Sequence, residues 1–276
     1  MTQGFEDRIR NVALRSRVMT AAEAAELIKD GMVVGMSGFT RSGEAKAVPL
    51  ALAERAKTTP IKITLMTGAS LGNDLDKILA EAHVTARRIP FQSDPGLRRM
   101  INAGEVMFID QHLSETVEQL RTQQLPLPDV AVIEAIAITE DGGIIPSTSV
   151  GNSASFALLA KKVLIEININ QPLGLEGLHD IYIPTYRPNR MPIPIVTPES
   201  RVGLPHIPLP PERIAAIVVT EKVDSTATIN PPDAETRAIA GHLIGFFERE
   251  VTRGHLDHRL APLQAGIGTV ANAVLH

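Results

Sequence analysis

The sequence predicts an α/β fold of three layers, in which helices cover both faces of an open, mostly parallel sheet. From about residue 20 to residue 170, short segments rich in valine and isoleucine alternate with helical patterns. This alternation is typical of parallel strands joined by helices. The 276 residues are 44% hydrophobic and 21% charged, a composition that suits a globular protein with a large core.

The individual elements follow from local signals. Thr20 and Glu23 form a capping box that opens a helix reaching about Lys29, because each side chain can bond the other residue's free amide. The sequence TEDGGI after Ile138 predicts a hairpin. Strands are predicted at residues 32–38, 61–68, 106–110, 129–138, 162–169 and 214–221. Helices are predicted at residues 48–56 and 73–82, after Asp94-Pro95, after Asn152, and over 233–253 with Pro232 as the cap.

Most of the 20 prolines lie between residues 171 and 232. One interpretation is a linker in the polyproline II conformation. The alternative is an ordered excursion over the surface at about residues 171–212. We favour the excursion, because isoleucine, valine and tyrosine recur between the prolines and a flexible linker is usually poorer in apolar residues.

Composition and charge argue against several classes of protein. The net charge is −4 and aromatic residues make up 3%, so neither a basic stripe nor a base-stacking platform for nucleic acid is expected. No apolar run approaches the roughly 20 residues that cross a bilayer, and residues 1–17 contain no apolar signal segment. Cysteine is absent, which removes disulfides and thiolate chemistry. The sequence therefore predicts a cytoplasmic protein that binds neither nucleic acid nor membrane.

The histidines give no metal site. His255 and His258 follow Gly254 among charged residues, so a solvated loop is expected there, and no third ligand is identifiable. His179 beside Asp180 could be an oriented base, but a structural role is favoured. We predict no metal and no permanently bound cofactor.

Three loops are interpreted as strand-end loops, where open α/β sheets bind ligands. In the first, at residues 35–49, Ser37 is not a nucleophile, because the glycine spacing does not fit G-x-S-x-G. In the next two, Ser70 and Ser93 each stand near a helix N-terminus, so together they could hold a small carboxylate. The alternative, favoured for either serine alone, is that they serve turns and caps.

The internal carboxylates have weak claims to be a nucleophile. Glu134 lies inside an apolar segment, where a paired structural carboxylate is expected. Glu140 and Asp141 fall in the predicted hairpin turn and are expected to be solvated. Glu44 is the best internal candidate, but its neighbour Lys46 predicts an ordinary surface pair.

Near its end the chain contains a glycine turn, Gly266-Ile267-Gly268-Thr269-Val270, followed by an apolar helical pattern. Backbone amides at such a turn can hold a phosphate ester. The turn matches G-x-G-x-x-G/A, but the acidic residue that binds an NAD ribose about 20 positions later is not in the sequence. We therefore expect a phosphate ester other than NAD.

Seven stretches, in order along the chain, resemble the N-terminal part of the acetyl-CoA hydrolase/transferase family, the class I CoA-transferases. They are RIRNVALRSRV, VVGMSGFTRSGEAKAVPLALA, TGASLGNDLD, INAGEVMFIDQHLSE, VIEAIAITEDGGIIPSTSVGNSASF, LEGLHDIYIP and LQAGIGTVANAVL. The resemblance implies a subunit of two related open α/β domains with coenzyme A lying across them. It implies that Gly266, Ile267, Gly268, Thr269 and Val270 contact CoA, and it places Ser70 and Ser93 near a carboxylate pocket.

The resemblance also implies a reaction in which CoA moves from a short acyl-CoA, such as acetyl-, succinyl- or propionyl-CoA, to a carboxylate through a glutamyl-CoA thioester. The family's glutamate belongs to a segment after the glycine motif. We therefore expect residues 1–276 to be an N-terminal domain that lacks the catalytic domain, carries no catalytic residue and is inactive alone. Full-length protein is expected to form a homodimer. Acetyl-CoA hydrolysis and a CoA-binding module without turnover remain the alternatives.

Overall fold

The computed structural model describes residues 5–225, 231–261, 263–266 and 268–275. The chain divides into two compact units, Met1–Thr226 and Ala227–His276.

The described residues of the first unit form an eight-stranded sheet. The strands are β1 (Val33–Met36), β2 (Ile63–Met66), β3 (Thr85–Ile89), β4 (Met107–Phe108), β5 (Val130–Ile138), β6 (Ile144–Pro146), β7 (Lys162–Asn168) and β8 (Ile214–Thr220). Their order is β4-β3-β2-β1-β5-β7-β8, with every neighbouring pair parallel. Strand β6 pairs antiparallel with β5, which confirms the predicted hairpin.

In the first unit, helices flank this sheet. They are α1 (Ala21–Ala25), α2 (Ala47–Ala56), α3 (Leu75–Glu81), α4 (Pro95–Asn102), α5 (Leu113–Arg121) and α6 (Ser153–Leu159). The second unit contains two helices among its described residues, α7 (Ala234–Thr252) and α8 (Thr269–Leu275). The long helix α7 has Asp233 as its N-cap, whose side chain accepts from the amide of Thr236. The predicted cap at Pro232 was therefore one residue early.

The core lies on both faces of the sheet, because successive side chains of a strand point in opposite directions. In β5, Val132 packs on the face that α1, α2 and α3 cover. Its neighbour Ile133 packs on the opposite face with Phe156 of α6. The three-layer α/β fold is thus confirmed.

Most predicted elements are present, with shifted ends. The capping box is formed, since Glu23 accepts from the amide of Thr20 at 2.9 Å and Thr20 accepts from that of Glu23 at 3.2 Å. Helix α1 ends at Ala25, earlier than expected. Strand β3 and helix α5 were not predicted, because the two arginines of β3 and the charged residues of α5 hide their buried positions.

Two short antiparallel bridges hold the proline-rich excursion, one within it and one that ties it to β6. The amide of Ile181 donates to the carbonyl of Leu204 at 2.8 Å, and the amide of Ile144 donates to that of Ile207 at 2.9 Å. These bonds support the ordered excursion over a flexible linker.

In the second unit, α7 packs against α8. Ala240 and Ala273 are their buried residues. Among the described helices, none is both long enough and apolar enough to cross a membrane.

Candidate functional site

The loops after β1, β2 and β3 meet at the carboxyl edge of the sheet, the end at which the parallel strands finish. There they surround a cavity of about 600 Å³, the position where open α/β sheets bind ligands. Its lining residues come from three strand-end loops, from α3 and α4, and from the segment after β8: Arg41, Leu71, Gly72, Asn73, Asp74, Asp76, Lys77, Ser93, Asp94, Pro95 and Ser225.

The two predicted substrate-binding serines occupy different positions at this edge. Ser93 is exposed and lines the cavity beside Arg41 and Lys77, two cations that could attract a carboxylate. Ser70 is 6% exposed and is not among the lining residues. Asp94 caps α4 by accepting from the amide of Leu97 at 2.8 Å, as its place before proline predicted.

A buried ion pair holds the loop that carries Ser70. Arg88 of β3 is fully buried, and its Nε lies 2.8 Å from Oδ1 of Asp76. The same guanidinium donates to the carbonyl of Ala69 at 3.1 Å, while Asp76 accepts from the amide of Leu71 at 2.9 Å. The bonds on either side of Ser70 therefore fix its backbone. This pair was not predicted, because β3 itself was not predicted from the sequence.

A second buried polar cluster lies behind the cavity and centres on Lys46. The predicted surface pair of Glu44 and Lys46 is wrong, because both residues are buried, with 0% and 1% exposure. The ammonium of Lys46 lies 2.5 Å from Glu134 and 2.6 Å from Asp224, and it donates to the backbone carbonyl of Glu44 at 2.8 Å. Two of these contacts are hydrogen bonds, to Glu134 and to the carbonyl of Glu44, and the third is a close charge contact with Asp224. Adjacent residues in a loop had suggested a local pair, whereas the fold brings the partners from β5 and from the segment after β8.

Glu134 is a paired structural carboxylate, as predicted. Besides Lys46, it accepts from the hydroxyl of Ser147 at 2.6 Å and from the amide group of Asn168 at 3.1 Å. Burial raises the pKa of Glu134 to about 7, although Lys46 and Ser147 act in the opposite direction. Burial lowers the pKa of Lys46, but Glu134 and Asp224 outweigh it, so the net shift of that pKa is upward.

Two more glutamates are buried beside this cluster. Glu166 of β7 accepts from the backbone amides of Lys46, Ala47 and Val48 at 2.7, 2.8 and 2.7 Å, so it satisfies the otherwise free amides at the start of α2. Burial still raises the pKa of Glu166. Burial also raises the pKa of Glu44, whose Oε1 accepts from the side chain of Asn73 at 2.8 Å. The sequence signal for Glu166 was its position as a charged residue inside the apolar segment KVLIEINI.

A second cavity, of about 630 Å³, opens at the same edge. It is flanked by Phe39 and Phe91, which are 43% and 42% exposed. The remaining lining residues are Thr40, Ala69, Asp110, Gln111, His112, Leu113 and Glu115.

Other residues singled out in the sequence have structural partners. Ser37 donates to the carbonyl of Gly43 and accepts from the amide of Glu134, both at 2.9 Å. His179 bonds the carbonyl of Ser147 at 2.8 Å, and Asp180 accepts from the amide of Gly203 at 2.6 Å, which supports a structural role for both.

The remaining predicted loops are exposed. Glu140 and Asp141 are exposed in the hairpin turn, as expected. His255 and His258 are also exposed. The described residues contain no cluster of three or more His, Asp or Glu suited to a metal ion.

The predicted CoA-contacting turn lies in the second unit. Gly268 has φ +146°, a conformation that favours glycine. The helix α8 begins at the next residue, Thr269, and includes Val270. Gly266 is exposed, and Ile267 lies outside the described residues.

Comparison with known proteins gives a consistent result. Residues 6–219 match the family model of the acetyl-CoA hydrolase/transferase N-terminal domain. The chain is 46% identical over 272 residues to a succinyl-CoA:acetate CoA-transferase of Clostridium kluyveri, covering 98% of this chain and 51% of that protein. It is 40% identical over 282 residues to an acetyl-CoA hydrolase of Schizosaccharomyces pombe, covering 98% and 54%. The chain thus spans about half the length of these relatives.

Solved structures with low identity support the fold. RipA from Yersinia pestis matches with a TM-score of 0.63 at 17% identity, over 96% of this chain and 54% of that one. An acyl-CoA transferase from Escherichia coli O157:H7 matches with a TM-score of 0.50 at 15% identity, over 79% and 53%. The family match and the identity to its members lead to one conclusion: the chain belongs to the acetyl-CoA hydrolase/transferase family.

Proposed function

We propose that this chain is the N-terminal part of an enzyme that transfers CoA between a short acyl-CoA and a carboxylate. The observation that carries the proposal is the 46% identity to a succinyl-CoA:acetate CoA-transferase across 98% of the chain. The acyl groups in question are acetyl, succinyl and propionyl. CoA is a substrate here, and no permanently bound cofactor is proposed.

In the proposed reaction, a glutamate carboxylate attacks the acyl carbonyl and expels CoA as a thiolate, leaving a mixed anhydride. The thiolate attacks the glutamyl carbonyl and releases the original acyl group as a carboxylate, which leaves a glutamyl-CoA thioester. A second carboxylate then runs the two steps in reverse and leaves as the new acyl-CoA. Covalent catalysis of this kind divides one difficult transfer into easier steps.

The residues of this chain would bind and orient the substrates. The turn formed by Gly266, Ile267, Gly268, Thr269 and Val270 is proposed to contact CoA, which the family resemblance supports.

The carboxylate substrate is proposed to bind at the carboxyl edge, near Ser70 and Ser93. The exposed hydroxyl of Ser93 and the cations Arg41 and Lys77 around the 600 Å³ cavity support this assignment. Of the three aspartates that also line it, Asp76 is paired with Arg88 and Asp94 caps α4, which leaves Asp74 as the opposing charge.

We further propose that the 276 residues alone do not turn over acyl-CoA. The support is the engagement of the carboxylates at the carboxyl edge. Glu134 is bound by Lys46, Ser147 and Asn168, and Glu166 is bound by three backbone amides. Neither is free to attack a thioester. Acyl-CoA consumption, followed by borohydride trapping of an enzyme thioester, tests this point, and label trapped on Glu44 would contradict it.

The second candidate activity is acetyl-CoA hydrolysis, which the names of several relatives favour. The two activities differ in whether water or a carboxylate reaches the thioester. One assay separates them: succinyl-CoA and acetate are incubated with the protein expressed from the open reading frame that contains this sequence. A transferase forms acetyl-CoA without free thiol, and a hydrolase releases free CoA thiol. A binding module does neither and overturns the proposal.

We also propose a cytoplasmic homodimer for the full-length protein. The proline-rich excursion supports an interface, because Met191, Ile195 and Val196 are 69%, 61% and 87% exposed, which is unusual for apolar side chains that have no partner surface. Light scattering on the full-length protein tests this, and a monomer would contradict it.

A further inference from the structure

The segment after β8, residues 221–225, turns back across the carboxyl edge of the sheet. Strand β8 lies at one end of the sheet and β2 lies four strands away, in the order β2-β1-β5-β7-β8. Four strand spacings amount to about 19 Å. The five residues from 221 to 225 reach at most about 18 Å when fully extended. Because this reach is slightly shorter than the span, the segment must run almost straight and the loop after β2 must extend toward it.

Hydrogen bonds hold this segment at both ends of its path, at β7 and at the loop after β2. The carbonyl of Lys222 accepts from the side chain of Asn168, at the end of β7, at 2.7 Å. At the far end, the carbonyl of Val223 accepts from the side chain of Asn73 at 3.2 Å, and the hydroxyl of Ser225 accepts from the amide of Asn73 at 2.8 Å. Asn73 belongs to the loop after β2 that lines the 600 Å³ cavity.

Asp224 makes the contacts in the middle. Its Oδ2 accepts from the amide of Gly43 at 3.2 Å and from the hydroxyl of Thr148 at 2.8 Å. Its Oδ1 lies 2.6 Å from the ammonium of Lys46, a contact made by charge rather than by a well-aligned hydrogen bond. Gly43 belongs to the loop after β1, and Thr148 to the loop after β6. One five-residue segment thus joins loops from β1, β2, β6 and β7.

These contacts are stronger than surface contacts of the same kind. The side chains of Lys46 and Asp224 are 1% and 10% exposed, so water competes little for their interaction. Without Asp224, Lys46 would lose one of its two carboxylate partners in a buried site, which is unfavourable.

We propose that residues 221–225 form a strap that holds the carboxyl-edge loops in the arrangement that binds the carboxylate substrate, with Asp224 as its positioning residue. This inference rests on the proposed carboxylate site at Ser70 and Ser93. Asp224 does not touch substrate; it acts through Gly43, Thr148 and Lys46.

The test compares Asp224→Ala with Glu221→Gln, a matched control, since Glu221 is exposed on the same segment. Backbone-amide NMR of the chain measures hydrogen exchange at Gly43 and Asn73, and the same spectra give the dissociation constant for succinate. In Asp224→Ala we expect exchange at both amides to rise more than tenfold and succinate to bind more than tenfold more weakly. Asp224→Ala also leaves Lys46 with one carboxylate in a buried site, so its unfolding temperature is expected to fall. Exchange at the amide of Ile165, in the central strand β7, is therefore the reference. A rise at Gly43 and Asn73 that Ile165 does not share separates a positioning role from a general loss of stability.

Two further variants sharpen the result. Asp224→Asn keeps an oxygen that can accept from Gly43 and Thr148, so it is expected to restore most of the protection at Gly43. Ser225→Ala is expected to release Asn73 and leave Gly43 protected.

If amide hydrogen exchange at Gly43 and Asn73 is unchanged in Asp224→Ala, the proposal that residues 221–225 hold the loops is wrong. If exchange becomes faster but the dissociation constant for succinate is unchanged, Asp224 does not position the carboxylate site. If succinate shifts no amides in the unmodified chain, the proposed carboxylate site has failed, and the exchange rates still decide whether the strap holds the loops.

Discussion

The carboxyl edge of the sheet and the glycine turn at residues 266–270 are both proposed to meet the substrates, yet the protein around them differs greatly. At the edge, Lys46 is enclosed and bound by acceptors from three parts of the chain. At the turn, a Cβ added to Gly268 would meet no described atom within 4 Å. The turn is a recognisable motif with few neighbours, whereas the edge is closely packed and matches no motif. A sequence motif marks a contact with a ligand, and it gives little information on what stabilises the fold.

The largest effect is expected from Lys46→Met. This change leaves the carboxylates of Glu134 and Asp224 buried without their cation, and breaking one side of a buried pair costs about 3–5 kcal/mol. The free energy of unfolding from urea titration measures it. The matched control is Lys57→Met, because Lys57 and Glu54 form an exposed pair that contributes about 0.5 kcal/mol or less. Equal losses in the two variants would show that the cluster does not stabilise the edge.

A smaller and pH-dependent effect is expected from Glu134→Gln. The pKa of Glu134 is raised from 4.5 to about 7 in the folded protein, so between these values the unfolded chain has released a proton that the folded protein still holds. The free energy of unfolding should therefore fall as the pH rises from about 4.5 to 7, by at most about 3 kcal/mol. In Glu134→Gln this contribution disappears and the profile flattens.

Urea titrations between pH 4.5 and 7.5 measure the free energy of unfolding of Glu134→Gln and of the unmodified protein. Glu140→Gln, in the exposed hairpin turn, is the control and should keep the slope of the unmodified protein. Parallel profiles for Glu134→Gln and the unmodified protein would rule out the raised pKa.

The smallest effect on stability is expected at the glycine turn. Gly268→Val introduces a β-branched side chain at φ +146°, which disfavours the turn by about 1–2 kcal/mol locally. It should weaken CoA binding roughly tenfold, as expected for one lost backbone contact. Calorimetry with CoA on the full-length protein tests this. Gly241→Ala, in helix α7, is the control, since its Cβ would also meet no described atom within 4 Å and it lies outside the proposed CoA-contacting turn. Equal CoA affinity in Gly268→Val and the unmodified protein would remove the turn from the site.

Much of the fold could be predicted because its signals are local. The apolar run that became β5 and the capping box at Thr20 depend only on neighbouring residues. Strand β3 was missed because its Arg88 is buried against Asp76, a partner that cannot be seen from composition. From sequence alone an arginine is expected at the surface, because the carboxylate that would allow its burial is not known.

The candidate site was predictable only in part, for a related reason. Strand-end loops follow from the order of strands and helices, so the serines at the carboxyl edge could be proposed. The partners of Lys46 could not, because they come from distant strands and from a segment whose path depends on the sheet order. Charge pairing in this protein follows topology rather than sequence spacing.

The cluster around Lys46 also constrains the order in which the protein can fold during its synthesis. Chains emerge from the ribosome at about 5–20 residues per second, so on the order of ten seconds or more separate the appearance of Lys46 from that of Asp224. During that interval Lys46 can pair with Glu134 once β5 has formed, but it lacks Asp224, the second carboxylate of its buried site. The nascent first unit therefore cannot complete its interior until its last few residues have left the ribosome.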